Sequence, residues 1–446
     1  MRLAVVGAGI VGITTAWELA ADGHEVTVFE RQGSAASETS FANAGIVAPG
    51  YVTPWAAPGM SAKVLGHLLS AHAPVRVSPR LELAALPWLW RWWRACRLET
   101  YQSNRKRMQR LALFSRERLH ALTRELGLEY ERSEGYLVLL RRPRDLAAAR
   151  PGLALLAELG IAHELVDAEG CRRIEPGLNA QTALHAGIHL PRDEVGNCRQ
   201  FALLLRTQAE KLGARFRFHT TVQGLRPGRA PQLTHQYLPP EDAGIASRAE
   251  PGRSDPDTQP QRGQPVDEVF DGVVVCAALG APALLRPLGL GLPLLAVHGY
   301  SITAPLRRMD EFPELGPTSA LMDERYKVAI SRLGHRVRVA GSAEIGGALA
   351  THHPGAIATL HKVLADWFPG AARLSRVQAW KGARPMLPDG PPVLGASGID
   401  GVWLNLGHGS SGWALACGSA RVLADAIAGR APPIDTEGLG IARLRL

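Results

Sequence analysis

The chain has 446 residues, more than one ordinary hydrophobic core accommodates, so two intertwined domains are expected. Its 46% hydrophobic and 20% charged residues are typical of a globular protein and exclude a disordered one. The net charge of +9 is spread along the chain, which favours a bias in composition over a nucleic-acid site. Five scattered cysteines without a CxxC motif, and no uncharged apolar run of about 18 residues, predict no metal site, disulfide framework or membrane span.

The first thirty residues predict a strand, a glycine-rich turn, a helix and a second strand. LAVV reads as a buried strand, Thr14 to Ala21 as a helix ended by Asp22-Gly23, and Glu25 to Phe29 as the next strand. The turn between them carries G-x-G-x-x-G, which lets a pyrophosphate approach the backbone and the free N–H groups of the helix N-terminus. The residues predicted to bind the dinucleotide here are Val6, Gly7, Ala8, Gly9, Ile10, Val11, Gly12, Glu30 and Arg31.

The acid that follows the second strand completes this fingerprint. Glu30 lies 18 residues after Gly12, where its carboxylate can accept hydrogen bonds from both hydroxyls of an adenosine ribose. A 2′-phosphate would be repelled, so NADP is disfavoured. FAD and NAD both remain compatible with the fingerprint alone.

Three later segments favour FAD. Residues 37–59, SETSFANAGIVAPGYVTPWAAPG, follow the second strand but suit neither a helix nor a strand. DGVVVCAALGA (271–281) predicts another buried strand. GVWLNLGHGSSGWALACGSARVLADAIAGR (401–430) predicts a strand, a glycine-rich turn at Gly407, Gly409 and Gly412, and a helix. The N-terminus of that helix can stabilise the negative charge that collects on the edge of a reduced flavin.

Three segments predict helices between these motifs. LPWLWRWWRACR (86–97) combines four tryptophans with arginines, which suits a membrane interface but equally a helix packed on the second domain with its arginines outside. Residues 101–126 predict an amphipathic helix with an inward apolar face. A helix over 198–213 with a stop at Gly213 is expected to lead into a strand over 215–222.

Nearly the whole chain resembles a known family. The motifs are VVGAGIVGITTAWELAADGHEVTVFER, ETSFANAGIVAPGYVTPWAAPG, GYSIT, DERYKVAISR, WKGARPMLPDGPPVLG and VWLNLGHGSSGWALACGS. They are similar to the small subunits of bacterial D-amino acid dehydrogenases, within the D-amino acid oxidase and glycine oxidase superfamily. The resemblance implies an α/β fold, in which a Rossmann-like FAD-binding domain is interleaved with a mixed-sheet substrate domain of α+β character.

The resemblance and the motif positions give a domain division. The FAD-binding domain is expected at 1–60, 194–288 and 378–446, and the substrate domain at 61–193 and 289–377. Residues 225–267 depart from the family, which usually has a compact hairpin there. That segment is rich in proline and poor in apolar residues, so we expect a disordered insertion, with a partner-binding loop as the alternative.

The resemblance also implies roles for individual residues. Segment 37–59 would pass along the cofactor, with Asn43 holding the diphosphate or flavin edge or else forming a local Asx turn. Further cofactor contacts are expected from Ser40, Ala44, Gly45, Val222, Gly407, Gly409, Ser410, Ser411 and Gly412. Arg384 is expected to clamp the substrate carboxylate, a structural ion pair being the alternative. Tyr51, Tyr300 and Tyr326 are candidates for the same cavity or for ordinary packing, and Trp55 is a weaker one. His298 and His408 are possible proton acceptors.

The implied reaction is FAD-dependent oxidation of a D-amino acid to a 2-oxo acid and ammonia, with a hydride passing from Cα to flavin N5 and orientation supplying most of the catalysis. The implied acceptor is a respiratory quinone, and the implied location is cytoplasmic, possibly peripheral on the inner face of the membrane. No nucleic-acid partner is expected. Three rivals remain open: a related flavin enzyme acting on D-hydroxyproline, glycine or sarcosine; an NAD dehydrogenase; and a nucleotide-binding protein without catalysis.

Overall fold

The computed structural model describes residues 1–61, 64, 72–79, 81–239, 262–307 and 315–444. Within these ranges the chain forms a six-stranded, a three-stranded and a ten-stranded sheet, with helices packed against them. The strands are β1 (Arg2–Val6), β2 (Glu25–Phe29), β3 (Ile46–Val47), β4 (Val75–Val77), β5 (Ser133–Leu140), β6 (Glu164–Asp167), β7 (Ala186–Val195), β8 (Arg215–Arg217), β9 (Thr220–Arg226), β10 (Gln232–Tyr237), β11 (Pro265–Val269), β12 (Gly272–Val275), β13 (Leu295–Pro305), β14 (Ala320–Asp323), β15 (Val328–Leu333), β16 (Arg336–Ile345), β17 (Gln378–Met386), β18 (Val393–Ala396) and β19 (Val402–Leu406). The α-helices are α1 (Ile10–Ala21), α2 (Leu86–Ala95), α3 (Leu98–Leu126), α4 (Pro143–Glu158), α5 (Ala168–Ile174), α6 (Cys198–Lys211), α7 (Ala281–Leu285), α8 (Pro354–Trp367) and α9 (Gly412–Ile427).

The six-stranded sheet has the order β18-β19-β12-β1-β2-β8, with every pair parallel except β18 with β19. Its central strands are apolar on both faces, as parallel strands covered on both sides must be. One side packs against α1, α6 and α9 in a common hydrophobic core. The α/β nucleotide-binding architecture expected from the first thirty residues is therefore confirmed.

Helix α1 begins earlier than the sequence indicated, at Ile10 rather than Thr14. Gly9 is extended (φ −68°, ψ 177°) and acts as the N-cap, so the helix starts directly at the glycine turn. The Thr14 hydroxyl donates to the Ile10 carbonyl over 3.0 Å, a bond that helical threonines commonly form. The expected end is confirmed, because Asp22 is the C-cap and Gly23 adopts φ +83°.

The ten-stranded sheet runs β17-β13-β16-β15-β14-β5-β7-β3, with β4 joined to β16 and β6 to β7. It is mixed, as expected for the second domain: β5 pairs parallel with β14, whereas β13 pairs antiparallel with β16 and β17. One face packs on α8 through a core that includes Ile302, Val339 and Trp367. Strand β17 corrects the expected division at residue 378, because it pairs with β13 from Thr303 to Leu295 and so belongs to this sheet.

The region expected to be a disordered insertion, 225–267, is ordered at both ends. Strands β9, β10 and β11 form an antiparallel sheet, with Leu233 fully buried against Leu225 and Phe270. Burial of these apolar side chains stabilises β10. The high proline content of the segment predicts disorder instead. The expectation is corrected for 225–239 and 262–267, and residues 240–261 lie outside the described ranges. The strand expected over 215–222 is broken between β8 and β9, where His219 adopts φ +52°.

The tryptophan-rich segment forms α2, whose two faces differ. Trp88 and Trp92 are buried, and the Trp88 indole N–H donates to the Met386 carbonyl over 3.0 Å. Trp90 and Trp93 on the other face are 52% and 58% exposed. Packing therefore accounts for half of the tryptophans and leaves the other half at the surface. Helix α3 runs from Leu98 to Leu126 and ends at Gly127 in the left-handed region.

Candidate functional site

The turn between β1 and α1 can receive a phosphate. Gly7 adopts φ +104°, and a Cβ there would lie 2.8 Å from the Cys276 carbonyl oxygen. A Cβ at Gly9 would meet only the Ser40 hydroxyl, at 3.6 Å, so space remains above this residue. The N-cap residue Gly9 has no side chain, and the first turn of α1 contains no acidic residue. The Ile10 N–H already donates to the Ser40 hydroxyl at 3.1 Å, so it is the positive end of the helix dipole that this turn offers to an anion.

Glu30 is positioned beside this turn by two backbone amides. Its carboxylate accepts from the Ala8 N–H at 2.7 Å and from the Gln32 N–H at 2.8 Å. Burial raises the pKa of the Glu30 carboxyl, although these amides oppose the shift. A carboxylate accepts about four hydrogen bonds, so two acceptor positions remain for ribose hydroxyls.

Segment 37–59 crosses from the nucleotide-binding turn to the ten-stranded sheet. The Ser40 hydroxyl accepts from the Ile10 N–H at 3.1 Å, and the Thr39 hydroxyl donates to the Ala383 carbonyl at 2.6 Å. Asn43 forms the Asx turn that was one of its two alternatives, since its side-chain oxygen accepts from the Gly45 N–H at 2.7 Å. The segment is therefore bonded both to the nucleotide-binding turn and to the ten-stranded sheet.

Two further contacts fix the middle of this segment. The Arg338 guanidinium on β16 donates to the Asn43 carbonyl at 2.8 Å and to the Thr303 hydroxyl at 3.0 Å. The Trp413 indole in α9 donates to the Gly45 carbonyl at 3.1 Å. Burial lowers the pKa of Arg338 to about 10. Sequence patterns gave no signal for Arg338, because its role depends on strand register that brings β16 beside residue 43.

The glycine-rich turn before α9 presents a second helix N-terminus. Gly407 and Gly409 have φ of +77° and +56°, conformations that favour glycine. Ser411 precedes α9 without a side-chain cap, and the first turn carries no acidic residue. His408 is buried, its Nε2 lies 3.0 Å from the Ser419 hydroxyl, and burial lowers its pKa to about 3. Its role as a proton acceptor stays a prediction.

These features fit an FAD. Two helix N-termini without an acidic first turn, a glycine turn with open space and a carboxylate with spare acceptor positions match the pyrophosphate, the flavin carbonyl edge and the adenosine ribose. Arg31 forms an exposed ion pair with Glu38, and Val222 lies on β9 at the edge of the apolar cluster that includes Phe29. The individual cofactor contacts of these residues stay predictions.

Arg384 is a cation without a counter-ion. It lies on β17, where its guanidinium passes over Gly299 so closely that a Cβ at residue 299 would collide with it. It donates to the Ser342 carbonyl at 3.0 Å and makes no ion pair with a described carboxylate. Burial lowers its pKa to about 10. The structural ion pair that was the alternative for Arg384 is absent from the described part of the chain, so the guanidinium can receive an anionic ligand.

The three candidate tyrosines are not brought together around Arg384. Tyr300 lies opposite Lys381 on the neighbouring strand. Lys381 and Arg384 are three positions apart on β17, so their side chains point to opposite faces of the sheet. The Tyr300 hydroxyl donates to Glu344, which also pairs with Lys381 at 2.7 Å. Tyr326 packs in the α8-side core, with the Arg141 guanidinium 5.1 Å from its ring centroid.

Tyr51 lies elsewhere, and its hydroxyl donates to Glu324 at 2.8 Å and accepts from Lys327 at 3.2 Å. Its ring meets Tyr136 edge-on at 5.5 Å. Trp55 packs partly buried against the cluster around Trp88. His298 is buried beside Lys381 and Glu344, and desolvation lowers its pKa. Roles for these residues in the substrate cavity stay predictions.

An exposed apolar surface surrounds the outward tryptophans of α2. Leu83, Leu86, Trp90 and Trp93 are all more than half exposed, and Arg91, Arg94 and Arg97 alternate with them in the sequence. We call these seven residues the α2 surface. No described helix is long and apolar enough to cross a membrane.

Comparison with known proteins places these features in a wider group. A family model for FAD dependent oxidoreductases (DAO) matches residues 2–426. D-amino acid dehydrogenase of Cereibacter sphaeroides is 45% identical over 445 residues, covering 99% of this chain and 95% of the relative. D-amino acid dehydrogenase of Rhizorhabdus wittichii is 44% identical and covers 99% of this chain and 100% of its own.

Solved structures support the fold. Glycine oxidase of Geobacillus kaustophilus superposes with a TM-score of 0.71 at 19% identity, over 99% of this chain and 98% of that one. L-α-glycerophosphate oxidase of Mycoplasma pneumoniae with FAD bound superposes with a TM-score of 0.62 at 16% identity, over 96% and 94% of the two chains. At these identities the likeness shows a shared fold alone.

Proposed function

The chain belongs to the family of FAD-dependent oxidoreductases, and from that premise we propose that it is a D-amino acid dehydrogenase. The D-amino acid dehydrogenase of Cereibacter sphaeroides is 45% identical to it over 99% of its length. The observation that carries the proposal is the Arg384 guanidinium, which lacks a described counter-ion and lies on the sheet that segment 37–59 crosses. Such a cation suits the one group that all α-amino acids share, the carboxylate.

The contribution of the chain is to bind and orient. The Arg384 guanidinium fixes the carboxylate, which directs Cα toward the cofactor held by the turn at Gly9 and by the N-terminus of α9. FAD in this position supplies the two-electron oxidant. No side-chain base is required if the amine binds neutral, because its own lone pair then drives the hydride away.

The proposed products are a 2-oxo acid and ammonia, formed when water hydrolyses the released imino acid. Purified protein supplied with an artificial electron acceptor should release both products from D-alanine and neither from L-alanine. Equal rates with both isomers would refute the assignment. Selective turnover of glycine or sarcosine would instead support the related flavin enzymes.

We also propose a quinone as the electron acceptor and a peripheral location on the membrane. The support is the α2 surface, where exposed leucines and tryptophans alternate with arginines. Aromatic side chains favour the lipid headgroup region, and arginines are attracted to anionic lipids. Turnover with a soluble quinone analogue and no hydrogen peroxide would support this acceptor, whereas peroxide formation in air would indicate an oxidase.

Membrane binding has a separate test. The double variant Trp90→Ser/Trp93→Ser should lose flotation with vesicles that contain anionic phospholipid, because it removes both exposed indoles. Leu212→Ser, an exposed leucine at the end of α6, is the matched control and should float like the wild type. Absence of wild-type flotation would contradict the location, and a wild-type dimer dispersed by the double variant would assign the surface to a second copy of the chain.

A further inference from the structure

Trp380 on β17 is a large aromatic side chain that contributes to no hydrophobic core. It is partly buried, yet it belongs to none of the apolar clusters formed by the described residues. Among those residues its indole forms no ring–ring pair, no cation–π pair and no hydrogen bond. The other tryptophans that are not exposed all pack in such clusters: Trp17, Trp55, Trp88, Trp92, Trp367, Trp403 and Trp413. Packing of the fold therefore gives no reason for an aromatic residue at position 380.

The indole of Trp380 lies over a glycine, as the guanidinium of Arg384 does. A Cβ at Gly382 would collide with the six-membered ring of the indole, and a Cβ at Gly299 would collide with the guanidinium. Neither glycine has a positive φ, so the backbone conformation does not require glycine at either position. A glycine inside a strand commonly marks a place where another group approaches closely. The two glycines thus provide the space in which the indole and the guanidinium lie.

The strand register sets the separation of these two groups. Gly299 on β13 lies directly opposite Gly382 on β17. The Cβ positions of directly opposed residues are about 4.5–5.5 Å apart. Because the guanidinium and the ring edge occupy these two positions, they lie side by side, separated by about the width of one small side chain. A single amino acid can therefore contact both.

Both groups remain accessible. Arg384 and Trp380 are partly exposed, and β17 is the edge strand of the ten-stranded sheet. The strand is covered on the other side of Arg384, where Met386 is buried in a cluster with Trp88 of α2. A ligand held by the guanidinium therefore extends toward Trp380 rather than toward α2.

The charges on this face of the sheet disfavour a cationic ligand. Ser301 lies opposite Trp380, and Thr303, two positions further along β13, lies opposite Arg338. Arg338 therefore shares the face of Arg384 and Trp380, because an even separation along a strand returns to the same side. Neither arginine pairs with a described carboxylate. A basic side chain would meet two guanidinium groups, whereas an apolar one gains contact with the indole.

We propose that Trp380 contacts the side chain of the substrate and selects apolar and aromatic D-amino acids over cationic ones. This rests on the proposed function, in which Arg384 holds the carboxylate. In an α-amino acid the side chain begins at the atom next to the carboxylate carbon, so a carboxylate on the guanidinium brings Cβ beside the indole. The indole offers a flat apolar surface there and demands no hydrogen bond from the ligand across its ring.

The test compares D-phenylalanine with D-alanine, which share the amine and the carboxylate and differ only in the side chain. In Trp380→Ala the ratio of kcat/KM for D-phenylalanine to that for D-alanine should fall about fivefold to twentyfold. That is the loss expected when about 40–70 Å² of apolar contact is removed. Trp380→Phe should keep most of the ratio, because a phenyl ring retains a flat apolar face. Trp380→Leu decides the question if the alanine variant does not fold, and its ratio should fall in the same direction.

Inhibitors that cannot be oxidised give a second readout. 3-Phenylpropionate and propionate are the same two compounds without the amine. The wild type should bind 3-phenylpropionate more tightly than propionate, and Trp380→Ala should remove most of that difference. A residue with a purely structural role would weaken both inhibitors alike.

Trp403→Ala is the matched control. Trp403 is a partly buried tryptophan on β19 that packs against the core shared by α1, α6 and α9. Its replacement should lower the Tm and leave both ratios unchanged. Trp380→Ala should show the reverse, with altered ratios and a Tm close to that of the wild type, because its indole belongs to no described cluster.

Each outcome decides the proposal. Unchanged ratios in the Trp380 variants, with D-alanine still oxidised, overturn the role of Trp380 but leave the proposed function intact. Equal losses with both substrates also overturn it, since Trp380 would then support Arg384 rather than contact the side chain. A wild type that oxidises D-alanine but not D-phenylalanine, or that prefers D-lysine to D-phenylalanine, overturns it as well. If the wild type oxidises no D-amino acid, both this role and the proposed function fail.

Discussion

Replacement of Arg384 separates binding of the substrate from stability of the fold. The guanidinium donates one N–H to the Ser342 carbonyl. Its Nη2 lies over Gly299, which has no side chain to cover it. Four of its five N–H donors therefore remain, and a bidentate carboxylate engages two of them. Arg384→Met keeps the length and apolar volume of the side chain but removes these donors and the charge.

The magnitude follows from those two donors. A hydrogen bond to a charged group contributes about 1.5–3 kcal/mol, so two contribute about 3–5 kcal/mol once their overlap is allowed for. That range corresponds to a loss in kcat/KM of about a hundredfold to several-thousandfold. Arg384→Lys should recover only part of it, because an ammonium cannot form the bidentate pair.

Stability should respond in the opposite sense. Arg384 has no described carboxylate partner, and burial alone lowers its pKa to about 10. The buried charge therefore destabilises the folded protein. Arg384→Met should therefore keep or raise the Tm and retain the yellow colour of bound FAD. Steady-state kinetics with D-alanine, the flavin spectrum and thermal unfolding measure the three quantities.

The control is Arg150→Ala, which removes an exposed arginine of α4 and should change none of them. Near-wild-type kcat/KM in Arg384→Met with full FAD would refute the carboxylate assignment. A large fall in Tm would instead show that Arg384 has a structural partner.

Three other predictions concern the cofactor turn, the predicted insertion and a buried acid. Gly9→Ala should fold but lose FAD on gel filtration, because its Cβ meets only the Ser40 hydroxyl yet fills the space for a pyrophosphate; retention of flavin would contradict this. Deletion of 228–264 should lower the Tm, since it removes β10 and the buried Leu233; an unchanged Tm would show that β10 adds nothing. Burial raises the pKa of Asp193 from 3.8 to about 7. The free energy of unfolding should therefore decrease as the pH rises from 3.8 to about 7, because the unfolded carboxyl ionises first. Asp193→Asn should flatten the fall in Tm between those pH values, and a steeper fall would contradict the burial argument.

The nucleotide-binding half of the fold could be predicted because its signals are local. A buried strand, spaced glycines, a helix and Glu30 occur within thirty residues, and each has a backbone reason. The ends of elements were less predictable. Helix α1 extends back to Ile10 because Gly9 serves as an extended cap, which composition alone does not reveal.

The contacts across the ten-stranded sheet could not be predicted, because they depend on register between distant strands. Arg338 meets Asn43 across nearly 300 positions of sequence, and Tyr136 shares a row with Ser331 through β14. The tyrosines chosen by resemblance show the same limit. Tyr300 is adjacent to Ser301 in the chain, yet alternation sends its side chain to the α8 side of the sheet.

The α2 segment has one face packed on the protein and one face at the surface. Trp88 and Trp92 are buried, as a packed helix requires, whereas Trp90 and Trp93 remain exposed among arginines. Helical periodicity separates the two pairs, but sequence alone does not say which face meets the protein. The position of α2 against Met386 decides this.

The most direct measurement is anaerobic mixing of the purified flavoprotein with single amino acids while flavin absorbance is recorded. D-alanine should bleach the flavin in the absence of any other acceptor, and L-alanine should leave the spectrum unchanged. Bleaching by both isomers, by neither, or a purified chain without flavin would contradict the account.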